Sequence, residues 1–262
     1  MTIPFYQVDA FAETLFSGNP AGVCLLDSWP DDELMQNIAM ENNLAETAFC
    51  VKTVTGYEIR WFTPTTEVDL CGHATLAAAK AIFRHEKLLV NELNFYSPCS
   101  GDLTVLRSED MLTLNFPVDE FKPVPVTDAL WKGIGLKPIE AWKGKTDYLF
   151  VYENETIVKN LSPNYTELKK IDDCRGVIVT APGDTCDFVS RFFAPQVGID
   201  EDPVTGSAHT TLTPYWANKL QKGELTARQI SPRGGSLQCR LQGGRVFISG
   251  KAQVYLVGTL EL

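Results

Sequence analysis

The chain has 262 residues, 44% of them hydrophobic and 21% charged, enough apolar material for one large domain or two ordinary ones, which excludes a disordered chain. A net charge of -10 with no basic cluster to offset it excludes nucleic acid and anionic membrane surfaces as partners, so an anionic ligand would have to be held by local donors. No apolar run approaches the roughly 20 residues of a membrane helix, and residues 1–9 carry neither a basic nor a long apolar stretch, so a cytoplasmic location is expected.

The first strand is predicted over residues 5–8. Gly18-Asn-Pro-Ala-Gly22 then reads as a turn, because its spacing fits neither a dinucleotide fingerprint nor a P-loop. Ser28-Trp-Pro-Asp31 resembles a capping box ahead of a helix whose apolar stripe includes Leu34 and Ile38. Strands follow at 46–54, 57–62, 92–96, 103–105 and 112–116, with a helix over 76–83 between the second and third of them. A proline-rich stretch over 119–127 breaks the periodic pattern and places a domain cut near Phe121, giving domains 1–121 and 122–262. The second half is predicted to hold strands at 148–152, 176–180, 245–249 and 253–257 and a weaker helix over 210–218 that contains Pro214. The class is α+β, a strand-rich sheet curling around helices.

The two halves resemble each other. Arg60-Trp-Phe-Thr-Pro64 followed by Val68-Asp69 recurs as Arg191-Phe-Phe-Ala-Pro195 followed by Ile199-Asp200, with the same spacing from arginine to aspartate. Each copy leads into a glycine turn that opens a helix, Cys71-Gly-His-Ala-Thr75 in one and Thr205-Gly-Ser-Ala-His209 in the other. A repeat of half the chain implies duplication into two like domains, since solenoid repeats are far shorter.

Helix N-termini carry unsatisfied N–H groups and the positive end of the helix dipole, so both turns suit a carboxylate. If the halves face each other, Gly72-His73 and Gly206-Ser207 would share a cleft; taken singly, each turn is also explained by tight backbone geometry and capping. Glu46 interrupts an apolar stretch at the start of a strand, either as a buried proton carrier or as an exposed strand-edge acid. Asp202 precedes the second turn, where it could cap the helix or bond a substrate hydroxyl or amine, and Asp69 stands in the comparable place before the first, as a structural cap. His73 is read as a general acid, a substrate donor or a turn residue. The absence of a His-x-x-x-His pair or an acidic cluster speaks against a metal site, and seven unpaired cysteines without a Cys-x-x-Cys pair speak for free thiols. The tripeptides at Asn154, Asn160 and Asn164 match the glycosylation pattern by chance.

Gly18-Asn-Pro-Ala-Gly-Val23, Leu44-Ala-Glu-Thr-Ala-Phe49, Phe62-Thr-Pro64, Val68-Asp-Leu-Cys-Gly-His-Ala-Thr75, Glu201-Asp-Pro-Val-Thr-Gly-Ser-Ala208 and Ser231-Pro-Arg-Gly-Gly235, taken in order, resemble the PhzF family, whose fold is shared with diaminopimelate epimerase. The resemblance implies two similar domains, each a curved mixed sheet or barrel around a central helix, an active-site cleft between them, and a homodimer. It implies an isomerase of the trans-2,3-dihydro-3-hydroxyanthranilate type that acts on a small carboxylate-bearing substrate without a cofactor. Glu46 matches the catalytic glutamate, His73, Asp202 and Ser207 match positions lining the site, and Gly72 and Gly206 supply backbone donors. Related epimerases use two opposed cysteines. Here Cys71 matches the first, but Pro203 stands near the second, so one carboxylate returning a proton to the same face is favoured over racemisation. The alternatives are a non-catalytic small-acid-binding protein and a racemase or epimerase that uses Cys71.

Overall fold

The computed structural model describes residues 1–262. The chain forms two compact units, one of residues 1–115 with 249–262 and the other of residues 116–248. The first contains β1 (Thr2–Ala10), β2 (Asn19–Leu26), α1 (Asp32–Asn42), β3 (Glu46–Lys52), β4 (Tyr57–Phe62), β5 (Glu67–Val68), α2 (Gly72–His85), β6 (Glu92–Ser97), β7 (Gly101–Ser108) and most of β8 (Met111–Pro117). The second contains β9 (Lys122–Pro123), α3 (Asp128–Trp131), β10 (Glu140–Lys143), β11 (Asp147–Val151), α4 (Glu155–Asn160), α5 (Tyr165–Leu168), β12 (Gly176–Pro182), β13 (Phe188–Ala194), β14 (Ile199–Asp202), α6 (His209–Leu220), β15 (Glu224–Gln229) and β16 (Gly235–Gln242). Strand β17 (Arg245–Glu261) begins in the second unit and ends in the first.

The duplication is explicit in the strand pairing. In the first unit β1 runs antiparallel to β2, β2 parallel to β3, β3 antiparallel to β4 and β4 parallel to β6, which is antiparallel to β7. The second unit repeats the series with β10, β11, β12, β13, β15 and β16. A parallel pair cannot be joined by a hairpin, so α2 and α6 are the crossovers that connect β5 to β6 and β14 to β15. Alanines 77, 78, 79 and 81 make α2 thin enough to sit within a curved sheet, and no residue of it from His73 to Ala79 is exposed.

The repeated arginines brace the hairpins. Arg60 donates through Nε and Nη2 to the two carboxylate oxygens of Glu67, both at 2.7 Å, and Arg191 grips Glu201 the same way at 2.7 and 2.8 Å. Each fork locks a short strand, β5 or β14, against the strand before it, just ahead of a site turn. The aspartates that defined the repeat in sequence are not the partners.

Several expectations are corrected. Helix α1 is capped by Asp31, whose side chain accepts from the Leu34 N–H at 2.7 Å, and not by Ser28. The segment after Gly18 is strand β2: only Gly18 turns, with φ +72°. Strands β10, β13, β15 and β16 lie outside the predicted set. Helix α6 runs through Pro214 because the Thr210 carbonyl, left without its helical donor by proline, accepts from the Asp119 N–H at 3.2 Å. That bond, with Thr211 Oγ1 donating to Asp119 at 2.8 Å, ties the stretch before Phe121 to the second unit. The division therefore falls ahead of the expected cut, and residues 249–262 leave the second unit to pair with β1. Asn154 and Asn164 are helix caps, accepting from the Ile157 and Glu167 N–H groups, so a structural role accounts for both. All seven cysteines are free. No helix is long and apolar enough to cross a membrane.

A Cβ at Gly18 would lie 2.3 Å from the Ala10 carbonyl oxygen, on a backbone already in the left-handed region. Gly18→Ala should therefore cost about 2–4 kcal/mol, read as a lowered urea midpoint with an unchanged slope.

Candidate active site

Glu46 is the first residue of β3 and is paired in register with Ala21 of the parallel β2. Its side chain is 12% exposed, which removes the reading of a solvated strand-edge acid. His73 stands in the first turn of α2, fully inside the unit, with Nε2 3.1 Å from Glu46 Oε2, a distance suited to an ion pair although its direction is not that of a well-aligned hydrogen bond. The other ring nitrogen, Nδ1, is 3.3 Å from Asn19 Nδ2 and 3.5 Å from the thiol of Cys71. Cys71 is the residue just before α2, in extended conformation, and its side chain caps nothing; Asp69 does not cap the helix either, its carbonyl accepting from Ser100 Oγ.

Three potential ligand atoms from Glu46, Cys71 and His73 thus lie within 4.8 Å of one another. The thiol and the carboxylate nevertheless address opposite nitrogens of one imidazole. All three groups are close enough to one another for a proton to be exchanged among them. The electrostatics fit that use. Burial disfavours the His73 imidazolium, but the negative charge that Cys71 and Glu46 can present outweighs it and raises the ring well above the ordinary histidine value. Burial and then Glu46 push the Cys71 thiol up, against the pull of His73.

The equivalent turn of the second unit carries Asp202, Thr205, Gly206 and Ser207. Asp202 is buried at the end of β14 and its carboxylate accepts from Thr205 Oγ1. Gln229, 1% exposed, closes the loop: its amide donates to the Asp202 carbonyl at 2.8 Å and its oxygen accepts from the Thr205 N–H at 2.9 Å. Ser231 Oγ donates to the Pro203 carbonyl at 2.7 Å. Gly206 is buried and Ser207 exposed at the mouth of α6, where the hydroxyl accepts from Arg175 Nη2 at 3.0 Å. The structure therefore gathers Glu46, Gly72 and His73 at one turn and Asp202, Gly206 and Ser207 at its counterpart. Sequence reasoning missed Asn19, Thr205, Gln229 and Arg175. Asn19 and Thr205 lay in motifs quoted for the resemblance but were given no role in the site, although Thr205 bonds Asp202 only three residues away; Gln229 and Arg175 carry no local signal, because their partners are distant in the chain.

This is a duplicated α+β protein with an acid–base cluster at the start of one buried helix and a donor-rich turn at the start of the other. The chain belongs to the phenazine biosynthesis-like (PhzC-PhzF) family, whose profile matches residues 8–258. A Pseudomonas aeruginosa protein called an uncharacterized isomerase is 49% identical over the whole of both chains. A PhzF-family crystal structure from Enterococcus faecalis is 46% identical, with a TM-score of 0.97 over 100% of each chain. A putative PhzC/PhzF structure from Clostridium difficile is 45% identical, with a TM-score of 0.94 over 99% of this chain and 100% of its own.

His209 gives a test of how the second turn is held. The ring is wholly buried, its Nδ1 bonds the Thr205 carbonyl at 2.9 Å, and burial lowers its pKa from 6.5 to about 4. The folded state keeps it neutral while the unfolded ring takes a proton below about 6.5, so its contribution is full above that pH and is lost as pH falls towards 4. The loss should reach about 3 kcal/mol in urea titrations between pH 7 and 4, and His209→Gln should remove that part of the slope.

Proposed function

We propose that this chain is a cofactor-independent isomerase in which Glu46 moves a proton on a small carboxylate-bearing substrate, the chemistry of trans-2,3-dihydro-3-hydroxyanthranilate isomerase. The observation that carries the reading is the sheltered Glu46 carboxylate with His73 Nε2 3.1 Å away. A carboxylate so placed is positioned to accept a proton from carbon. The C–H bond breaks as the Glu46 O–H bond forms, the released pair makes a new double bond to the next carbon, the pair of the existing double bond shifts to its far carbon, and Glu46 returns the proton there, so nothing is oxidised or reduced. His73, as imidazolium, would offset the charge on Glu46 and exchange protons with it. In this reading Asp202 bonds a substrate hydroxyl or amine, while N–H groups near Gly72 and Gly206, with the Ser207 hydroxyl, bind the carboxylate. The working protein is a homodimer, a state supported by the exposed apolar side chains Leu15, Phe16, Tyr255, Leu256 and Val257; light scattering in solution reads it directly.

In deuterated water the wild-type protein should place solvent deuterium in the isomerised product, and Glu46→Gln should lower turnover by about 10³-fold. Undiminished turnover in the variant would sink the role given to Glu46.

One observation favours a second reading, in which the Cys71 thiol beside His73 Nδ1 acts as the acid of an epimerase. Against it, the matching turn of the second unit, Thr205-Gly206-Ser207 with Pro203 close by, offers no thiol. Cys71→Ser separates the two: under the glutamate mechanism activity stays within about threefold of wild type, and under the cysteine mechanism it falls by a factor on the order of 10³.

A further inference from the structure

Under the proposed function Ser207 donates to the substrate carboxylate, and the role inferred for Arg175 rests on that reading. A lone serine hydroxyl is a poor guarantee of donation, because its hydrogen rotates to whichever acceptor is nearest and its oxygen accepts as readily as it donates. Here the oxygen is already engaged. Arg175 Nη2 points an N–H at Ser207 Oγ from 3.0 Å. The same guanidinium is gripped on its other edge by Asp147, with Nε to Oδ1 at 3.0 Å and Nη2 to Oδ2 at 2.5 Å.

Asp147 is 4% exposed at the start of β11, and the Arg175 backbone N–H bonds the Thr146 carbonyl at 2.7 Å, so both ends of the arginine are anchored in the sheet. The guanidinium carbon also lies 5.2 Å from the centre of the Phe192 ring, which restricts the plane of the fork. A planar fork held in this way aims the second N–H of Nη2 in a set direction, and Ser207 sits on it.

We infer that Asp147 and Arg175 form a positioning pair that fixes Ser207 as an obligate hydrogen-bond donor and thereby sets the site's preference for a carboxylate. With one lone pair filled by a cationic donor, the Ser207 O–H is turned away from Arg175 and polarised, so it seeks an acceptor, above all an anionic one. Asp147 cancels the charge of Arg175, and the pair therefore confers direction without making the turn a general anion trap. Neither residue belongs to a motif legible in sequence, since Asp147 and Arg175 stand far from Ser207 along the chain.

The test uses calorimetric titration of the full chain with anthranilate, a stable aromatic acid, and with aniline, the same ring without the carboxylate. Arg175→Lys keeps a cation opposite buried Asp147, and so keeps the fold, but lacks the planar fork that bonds Asp147 and Ser207 together. Wild type is expected to bind anthranilate and to show no heat with aniline at concentrations up to about 10 mM. Arg175→Lys and Ser207→Ala should each weaken anthranilate about tenfold. The double variant should be no weaker than Ser207→Ala alone, because Arg175 acts through that hydroxyl. Unchanged affinity in Arg175→Lys, or a double variant weaker by the product of the two factors, overturns the positioning role and leaves the proposed function standing. Unchanged affinity in Ser207→Ala, or no anthranilate binding by wild type, overturns the carboxylate site itself and this inference with it.

Discussion

Much of this molecule follows from the burial of one thin helix inside a curved sheet. From Ala74 to Ala79 helix α2 presents only small or apolar residues, and a stretch of that kind has to be enclosed. The parallel pairing of β4 with β6 demands a crossover, and enclosing it gives the crossover a set direction and an N-terminus at a set depth. His73 and Cys71 occupy that N-terminus, so the fold places them beside Glu46 on β3 before any chemistry is considered. The site is a consequence of how the helix is wrapped.

Duplication supplies the same device twice, and the two copies have diverged in what their turns carry. The first turn keeps a thiol, an imidazole and a neighbouring carboxylate, groups whose protons move. The second keeps an aspartate held by Thr205 and Gln229, a small backbone turn and a hydroxyl held by Arg175, groups that bind and orient. The bidentate arginine–glutamate forks, identical in both halves, belong to the scaffold. Under the proposed function, the residues at each turn can change without disturbing the scaffold that holds them.

Protonation at the two turns is set in opposite ways. His73 faces two groups that can carry negative charge, so its protonated form is favoured despite burial. His209 faces a carbonyl and an aromatic ring and stays neutral, its Nε2 unbonded. Two buried histidines at equivalent helix starts thus differ by environment alone, and only the first is equipped to exchange a proton with a carboxylate.

The sequence by itself determined the α+β class, the duplication, both helix-opening turns and the candidacy of Glu46, His73, Asp202 and Ser207. These rest on local periodicity, on glycine's conformational freedom and on a repeated spacing, all of which survive without knowledge of neighbours. It did not reveal β2, because a glycine turn at Gly18 disguised the strand that begins at Asn19, nor β15, where polar Gln229 occupies an inward position. Whether Glu46 was buried, which nitrogen of His73 faced which partner, and why Pro214 does not break α6 were decided only by tertiary structure. Each depends on atoms brought together from distant points in the chain: Asn19 and His73, Asp119 and Thr210, Arg175 and Ser207. Side-chain partnership across such separations leaves no periodic trace, since a single polar residue satisfies it and any register of the surrounding pattern would accommodate that residue equally well.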